Sequence, residues 1–203
     1  MLQQHIMSLP WNKLFEMASE QKGYFLTQQA NELGISSPSL NQQKNRGYIE
    51  SVFHGIYRFS QFPISNNEDL MVIWLWSKGE GIFSNETALL HHQLSDVLPR
   101  KIHITLPPSH SRQRKPPKGV IPYYDDVPDD DITWHGELPF TSPERTLRDL
   151  AKKKFDQELI EQAIKKTLLN DILTFQKVAE IIAILYGLIP KESKILKGKH
   201  NAK

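Results

Sequence analysis

Asn41, Gln42, Asn45 and Arg46 sit within one short stretch, SPSLNQQKNRG, whose ends carry helix signals. Asn and Gln pair bidentately with adenine and Arg with guanine, so these residue types on one helix face make a surface for reading base edges. Ser36 or Ser37 can cap that helix, Pro38 fits its first turn, and Gly47 stops it. With Leu40 turned inward, steps of about 100° per residue place the four polar side chains on the outer face. Ser37, Ser39 and Lys44 flank them and suit phosphate contacts, which position a protein on a duplex without reading sequence.

The elements that must hold this face are legible across residues 25–59, FLTQQANELGISSPSLNQQKNRGYIESVFHGIYRF. Thr27 is placed to cap a first helix carrying Ala30 and Leu33, Gly34 ends it, and Ile35 pins the turn. After the second helix, bulky residues recur between Tyr48 and Phe59 around a turn at His54-Gly55, the pattern of a hairpin. That order predicts a winged helix-turn-helix, whose second helix enters the major groove of double-stranded DNA. His54 and Arg58 would let the wing touch the DNA backbone. Residues 1–65 carry five Lys/Arg against four Asp/Glu, little charge for a ligand whose affinity rests on phosphate neutralisation. Serine, amide side chains and backbone N–H groups also bind phosphate. A winged helix used for protein docking, with no operator, is the alternative.

Other clusters carry weaker chemistry. Arg112, Arg114, Lys115 and Lys118 lie among prolines in one loop and form a candidate contact to DNA or to a protein partner; a solvated connection is the alternative. His91-His92, near Glu86 and Asp96, lacks any zinc-type spacing, so hydrogen-bonded structural histidines are expected and no metal site. The acidic run DDVPDDD, residues 125–131, lacks the glycine and terminal Glu of a calcium loop and reads as a turn. Arg145 and Asp149 are four apart on a helix begun by Ser142-Pro143-Glu144, which predicts a surface ion pair worth a few tenths of a kcal/mol. No cysteine nucleophile, GxSxG elbow or glycine-rich phosphate loop is present, so neither catalysis nor a cofactor is expected. A DNA-acting nuclease is the weakest alternative, since its acids and lysines show no telling spacing.

The chain has 203 residues, 39% hydrophobic and 24% charged, with no cysteine. No apolar run approaches the roughly 20 residues that span a bilayer, and the N-terminus lacks a signal-peptide pattern; a cytoplasmic protein is expected. Residues 66–150 carry nine basic and thirteen acidic side chains, and residues 151–203 eleven and six. After a polar stretch at 61–67, helices are predicted over 66–78 and from Ser84 or Asn85. Strands follow at 101–106, 120–124 and 132–141, then helices at 144–153, 156–169 and 175–186. The predicted fold class is α+β: a winged helix-turn-helix domain at 1–62, a mixed α+β domain at 66–190, and a basic tail at 191–203.

Beyond the winged helix, NEDLMVIWLWSKGEGIFSNETALLHHQLSDVLP, KIHITLP and TWHGELPFTSPERTLRDLA complete a resemblance to the AbiEi antitoxins of type IV toxin–antitoxin, or abortive-infection, systems. The resemblance covers roughly residues 11 to 170. It implies a C-terminal antitoxin domain behind the winged helix, repression of the protein's own promoter through inverted repeats, and counteraction of a nucleotidyltransferase-like toxin. This chain departs from the family pattern at Gln43, where a leucine is usual, and in having few arginines on the recognition helix.

Overall fold

The computed structural model describes residues 9–64, 67–112 and 115–188, with residues 111 and 112 described by backbone alone. The chain opens with α1 (Leu9–Glu20) and a short strand β1 (Tyr24–Leu26), followed by α2 (Thr27–Glu32) and α3 (Ser37–Asn45). The wing is β2 (Ile49–Phe53) and β3 (Ile56–Phe59), and the three strands form an antiparallel sheet in the order β1-β3-β2. Leu14, Ala18, Phe25, Ala30, Ile35, Leu40, Ile49 and Phe59 make its core. Phe59 is central, within 5.2 Å of Phe15 and 5.1 Å of Phe25 between ring centroids. Gly23, at φ 90°, is required where the chain turns into β1, because a Cβ there would strike the Phe62 ring.

The polar stretch at 61–67 does not separate two independent bodies. α4 (Glu68–Trp76) buries Met71, Val72, Ile73 and Leu75, and this cluster includes Tyr24 and Ile56 from the winged-helix sheet together with Phe83, Ile104 and Phe140 from the second sheet. An all-round apolar helix must be covered on several sides. α4 is so covered by both parts, and this middle cluster is shared between the described halves. Lys22 and Glu137 add an ion pair across the same boundary, 3.1 Å apart.

The second part is a five-stranded mixed sheet in the order β6-β5-β4-β8-β7. The strands are β4 (Ile82–Phe83), β5 (Ile102–Leu106), β6 (Val120–Tyr124), β7 (Ile132–His135) and β8 (Leu138–Thr141). β4 pairs antiparallel with β5 and parallel with β8, β5 pairs parallel with β6, and β7 with β8 antiparallel. The single strand expected over 132–141 is therefore a hairpin, reversed at Gly136, which takes φ 62° as a two-residue turn demands. α5 (Asn85–His91) lies against the sheet, and α6 (Pro143–Lys152), α7 (Gln157–Leu169) and α8 (Phe175–Leu185) close a third cluster around Leu89, Leu147, Leu150, Ile160 and Val178. Ser142, Asp156 and Thr174 cap the last three helices with their side-chain oxygens.

Of the paired histidines, His92 is hydrogen-bonded as expected, whereas His91 is held by ring packing. His91 lies flat on Phe140 at 3.8 Å between centroids, His135 meets it edge-on at 4.5 Å, and His92 Nε2 is 2.7 Å from the Thr141 carbonyl. Burial first, then the neighbouring His135 and His92, push His91 down to about 4. The folded protein thus holds this ring neutral, whereas unfolding returns it to an ordinary value of about 6.5. Its contribution is complete above pH 6.5 and is lost as the pH falls toward 4, by roughly 1 kcal/mol per unit. Urea unfolding at pH 7.5 and pH 5 is expected to show that loss, and His91→Phe to reduce it without abolishing it, since burial also holds His103 and His92 below their ordinary value; an unchanged slope in the variant would place the pH dependence elsewhere.

Candidate nucleic-acid interface

α3 forms because Ser36, in extended backbone (φ −77°, ψ 158°), accepts a hydrogen bond from Ser39 N–H while Pro38 occupies the first turn. Leu40 is fully buried and fixes the helix's rotation. Asn41, Gln42, Lys44, Asn45 and Arg46 are then exposed, together with Ser37, while Ser39 and Gln43 are half-buried. None of the five makes a side-chain hydrogen bond or ion pair with another described residue, so their donors and acceptors are free to meet a ligand. Asn41 and Asn45 are one turn apart, as are Gln42 and Arg46, which makes two adjacent rows along the outer face. The inward-tending Gln43 leaves the fold intact, and its carbonyl accepts from Tyr48 N–H to start the wing.

The wing turn is anchored to the helix pair. Thr27 does not cap α2; it is that helix's first residue, and both its N–H (2.9 Å) and its hydroxyl (3.2 Å) donate to the Gly55 carbonyl. The capping function passes to Gln29, whose side chain accepts from Leu26 N–H at 2.8 Å. His54 is exposed at the tip beside Gly55, and a bulge between Ser51 and Phe53 twists the edge strand.

Arg58 is a correction to the sequence reading. It is 5% exposed, and its guanidinium donates at 2.8 Å both to Glu50 and to the Phe62 carbonyl. On a three-residue β1 that no periodicity revealed, Tyr24 pairs opposite Arg58 and covers it. Arg58 is a strut within the domain and takes no part in the exposed face.

A groove of about 540 Å³ runs beside this face. Its polar rim is Gln28 and Asn31 of α2, Ser37 of α3, Ser51 and His54 of the wing, and Lys78, which follows α4 in the second part of the chain. No helix signal or spacing pointed to Gln28, Asn31 or Lys78, because the fold alone brings them next to α3.

The other basic candidates fall elsewhere. Lys115 and Lys118 are exposed on the loop that enters β6, in the sheet that does not carry the wing, whereas Arg114 and the Arg112 side chain lie outside the described residues, as does the tail at 191–203. Arg145, expected as one half of a surface pair, is 8% exposed. Its guanidinium donates to Asp149 (2.8 Å), to Asp131 (3.1 Å) and to Asp125, and Arg148 shares Asp131 at 2.9 Å. The acidic run is a turn, as read, but its carboxylates are ligands for these arginines. A second network, also unforeseen, sets His103 against Glu86 (2.9 Å) and Tyr123 (3.1 Å), with Lys153 3.8 Å from the Tyr123 ring centroid and 3.0 Å from Asn85. Burial pulls the Lys153 ammonium below its ordinary value. Among the described residues no group of three or more His, Asp or Glu is placed to hold a metal ion. No helix of the described residues is long and apolar enough to cross a membrane.

Residues 12–60, from α1 through the end of the wing, match the family model described as a transcriptional regulator, AbiEi antitoxin. This N-terminal part is thus similar to the AbiEi regulators over 12–60. The AbiEi match contains all of α2, α3 and the wing and stops before α4. No curated protein matches the chain. Among solved structures, the fold is similar to that of the RV2827C protein from Mycobacterium tuberculosis, with a TM-score of 0.50 at 13% identity over 86% of this chain and 71% of that one. That likeness concerns the fold and reaches beyond the AbiEi span into the α+β part.

Proposed function

We propose that the protein is a DNA-binding transcriptional autorepressor and the antitoxin of a type IV toxin–antitoxin system that counteracts a nucleotidyltransferase-like toxin. The observation that supports this reading best is the exposed, unpartnered row of Asn41, Gln42, Asn45 and Arg46 on α3, within a domain similar to the AbiEi regulators. These four residues read base edges in the major groove. Ser37, Ser39 and Lys44 hold phosphates on either side, and His54 brings the wing to the backbone. The loop of Arg112, Arg114, Lys115 and Lys118 supplies a second contact, to DNA or to the toxin. The protein acts by binding and not by catalysis.

A reporter driven by the DNA upstream of the protein's own gene tests the repressor half. Expression of the chain in trans is expected to lower the signal, and alanine at Asn41, Gln42, Asn45 and Arg46 to restore it. A reporter indifferent to the wild-type chain would contradict autorepression. Co-expression with a neighbouring nucleotidyltransferase-like toxin tests the other half: growth should recover, and persistent arrest would exclude the antitoxin role.

A further inference from the structure

The groove beside α3 has one wall outside the AbiEi span. Lys78 belongs to the turn after α4, yet it shares the groove with Ser37 at the start of the recognition helix and His54 at the wing tip. Its position is firmly set. Lys78 N–H bonds the Leu75 carbonyl at 2.9 Å and Gly79 N–H that of Trp74 at 3.0 Å. Ser77 ties the turn further, donating to the Trp74 carbonyl at 2.6 Å and accepting from Gly81 N–H at 2.9 Å. Because α4 packs on Tyr24 and Ile56 of the winged-helix sheet, this turn is held beside the wing. The Lys78 side chain is exposed and forms no ion pair with a described residue.

The polar part of the walls is one-sided. Among the described residues no Asp or Glu lines the groove; amides, hydroxyls, an imidazole and an ammonium do, beside apolar Leu26, Ile56, Leu75 and Trp76. Such a carboxylate-free rim of donors suits a phosphodiester backbone. We propose that one strand of the bound duplex runs through this groove, with Lys78 as a phosphate contact supplied by the second domain. This rests on the reading of α3 as a DNA-recognition helix. It also accounts for how a domain with almost balanced charge can hold DNA, since part of the neutralising charge comes from beyond it.

The test is fluorescence-anisotropy titration of the full chain, Lys78→Asn and Lys78→Arg against labelled upstream DNA and a scrambled duplex, across a series of salt concentrations. Asn tolerates the left-handed backbone at position 78 (φ 61°), so the neutral variant should fold normally, which its urea midpoint checks. Lys78→Asn is expected to weaken both duplexes severalfold and to shrink the slope of log K against log salt by about 0.9, with Lys78→Arg close to wild type. A selective wild type whose slope is unchanged in a folded Lys78→Asn overturns the groove proposal alone. A wild type with no preference for the upstream DNA overturns the recognition-helix reading instead, and one that binds neither duplex overturns both.

Discussion

Replacing Arg145 with methionine is expected to destabilise the protein by about 3–5 kcal/mol, the cost of removing one partner from a buried ion pair. Among the described residues, the guanidinium is the cation that joins Asp149 on its own helix to Asp125 and Asp131 on the β6–β7 connection. Asp149 and Asp131 have side chains only 16% and 18% exposed; the variant leaves Asp149 without its cation and Asp131 with Arg148 alone, two poorly hydrated like charges now less well paired. Asp125, 62% exposed, returns to water at little cost. Urea unfolding would read the loss as a lower midpoint with an unchanged m-value. The double change Arg145→Met, Asp149→Asn should recover much of it, because the uncompensated charge is gone while Asp131 keeps Arg148. A loss under about 1 kcal/mol would mean that the arginine behaves as the surface pair its spacing suggests.

Arg46→Ala is expected to cost about 1–3 kcal/mol of operator affinity and to relax preference at one base pair. Its mechanism predicts which base: a guanine whose O6 and N7 face the last turn of α3. Arg46 has no protein partner among the described residues, so its removal disturbs no fold contact and the loss should appear in binding only. Titrating a panel of operators, each altered at one position, separates the outcomes. A loss confined to one position identifies a base contact. An equal loss on every duplex, with a smaller salt slope, would instead make Arg46 a phosphate contact.

Much of this molecule was legible before any coordinates. α3, the wing and the last three helices follow from caps, prolines and apolar periodicity, which are local signals. Apart from α1 (Leu9–Glu20), a helix the sequence reading left unassigned, the features that escaped are those whose reasons are non-local. β1 has three residues, too few for alternation to show, and exists because β3 offers it an edge. Thr27 looked like a cap because caps are recognised by residue type, whereas its oxygen is engaged by the Gly55 carbonyl 28 residues away. Arg58 and Arg145 looked available because sequence gives charge but not depth, and both lie under strands or loops that cover them. The same reasoning cuts the other way for Lys78: a lysine before a Gly-Glu-Gly turn says nothing by itself, and only the packing of α4 on the winged helix carries it to α3.

The central claim is that the outer face of α3 reads a DNA sequence, and an equilibrium binding titration on the protein's own upstream DNA tests it most directly. A scrambled duplex of equal length and two salt concentrations complete the measurement. The expected result is selective binding to the upstream duplex that weakens as salt rises, with selectivity lost when Asn41, Gln42, Asn45 and Arg46 are all alanine. Binding no tighter than to the scrambled duplex would contradict the account and make the winged helix a surface for docking protein.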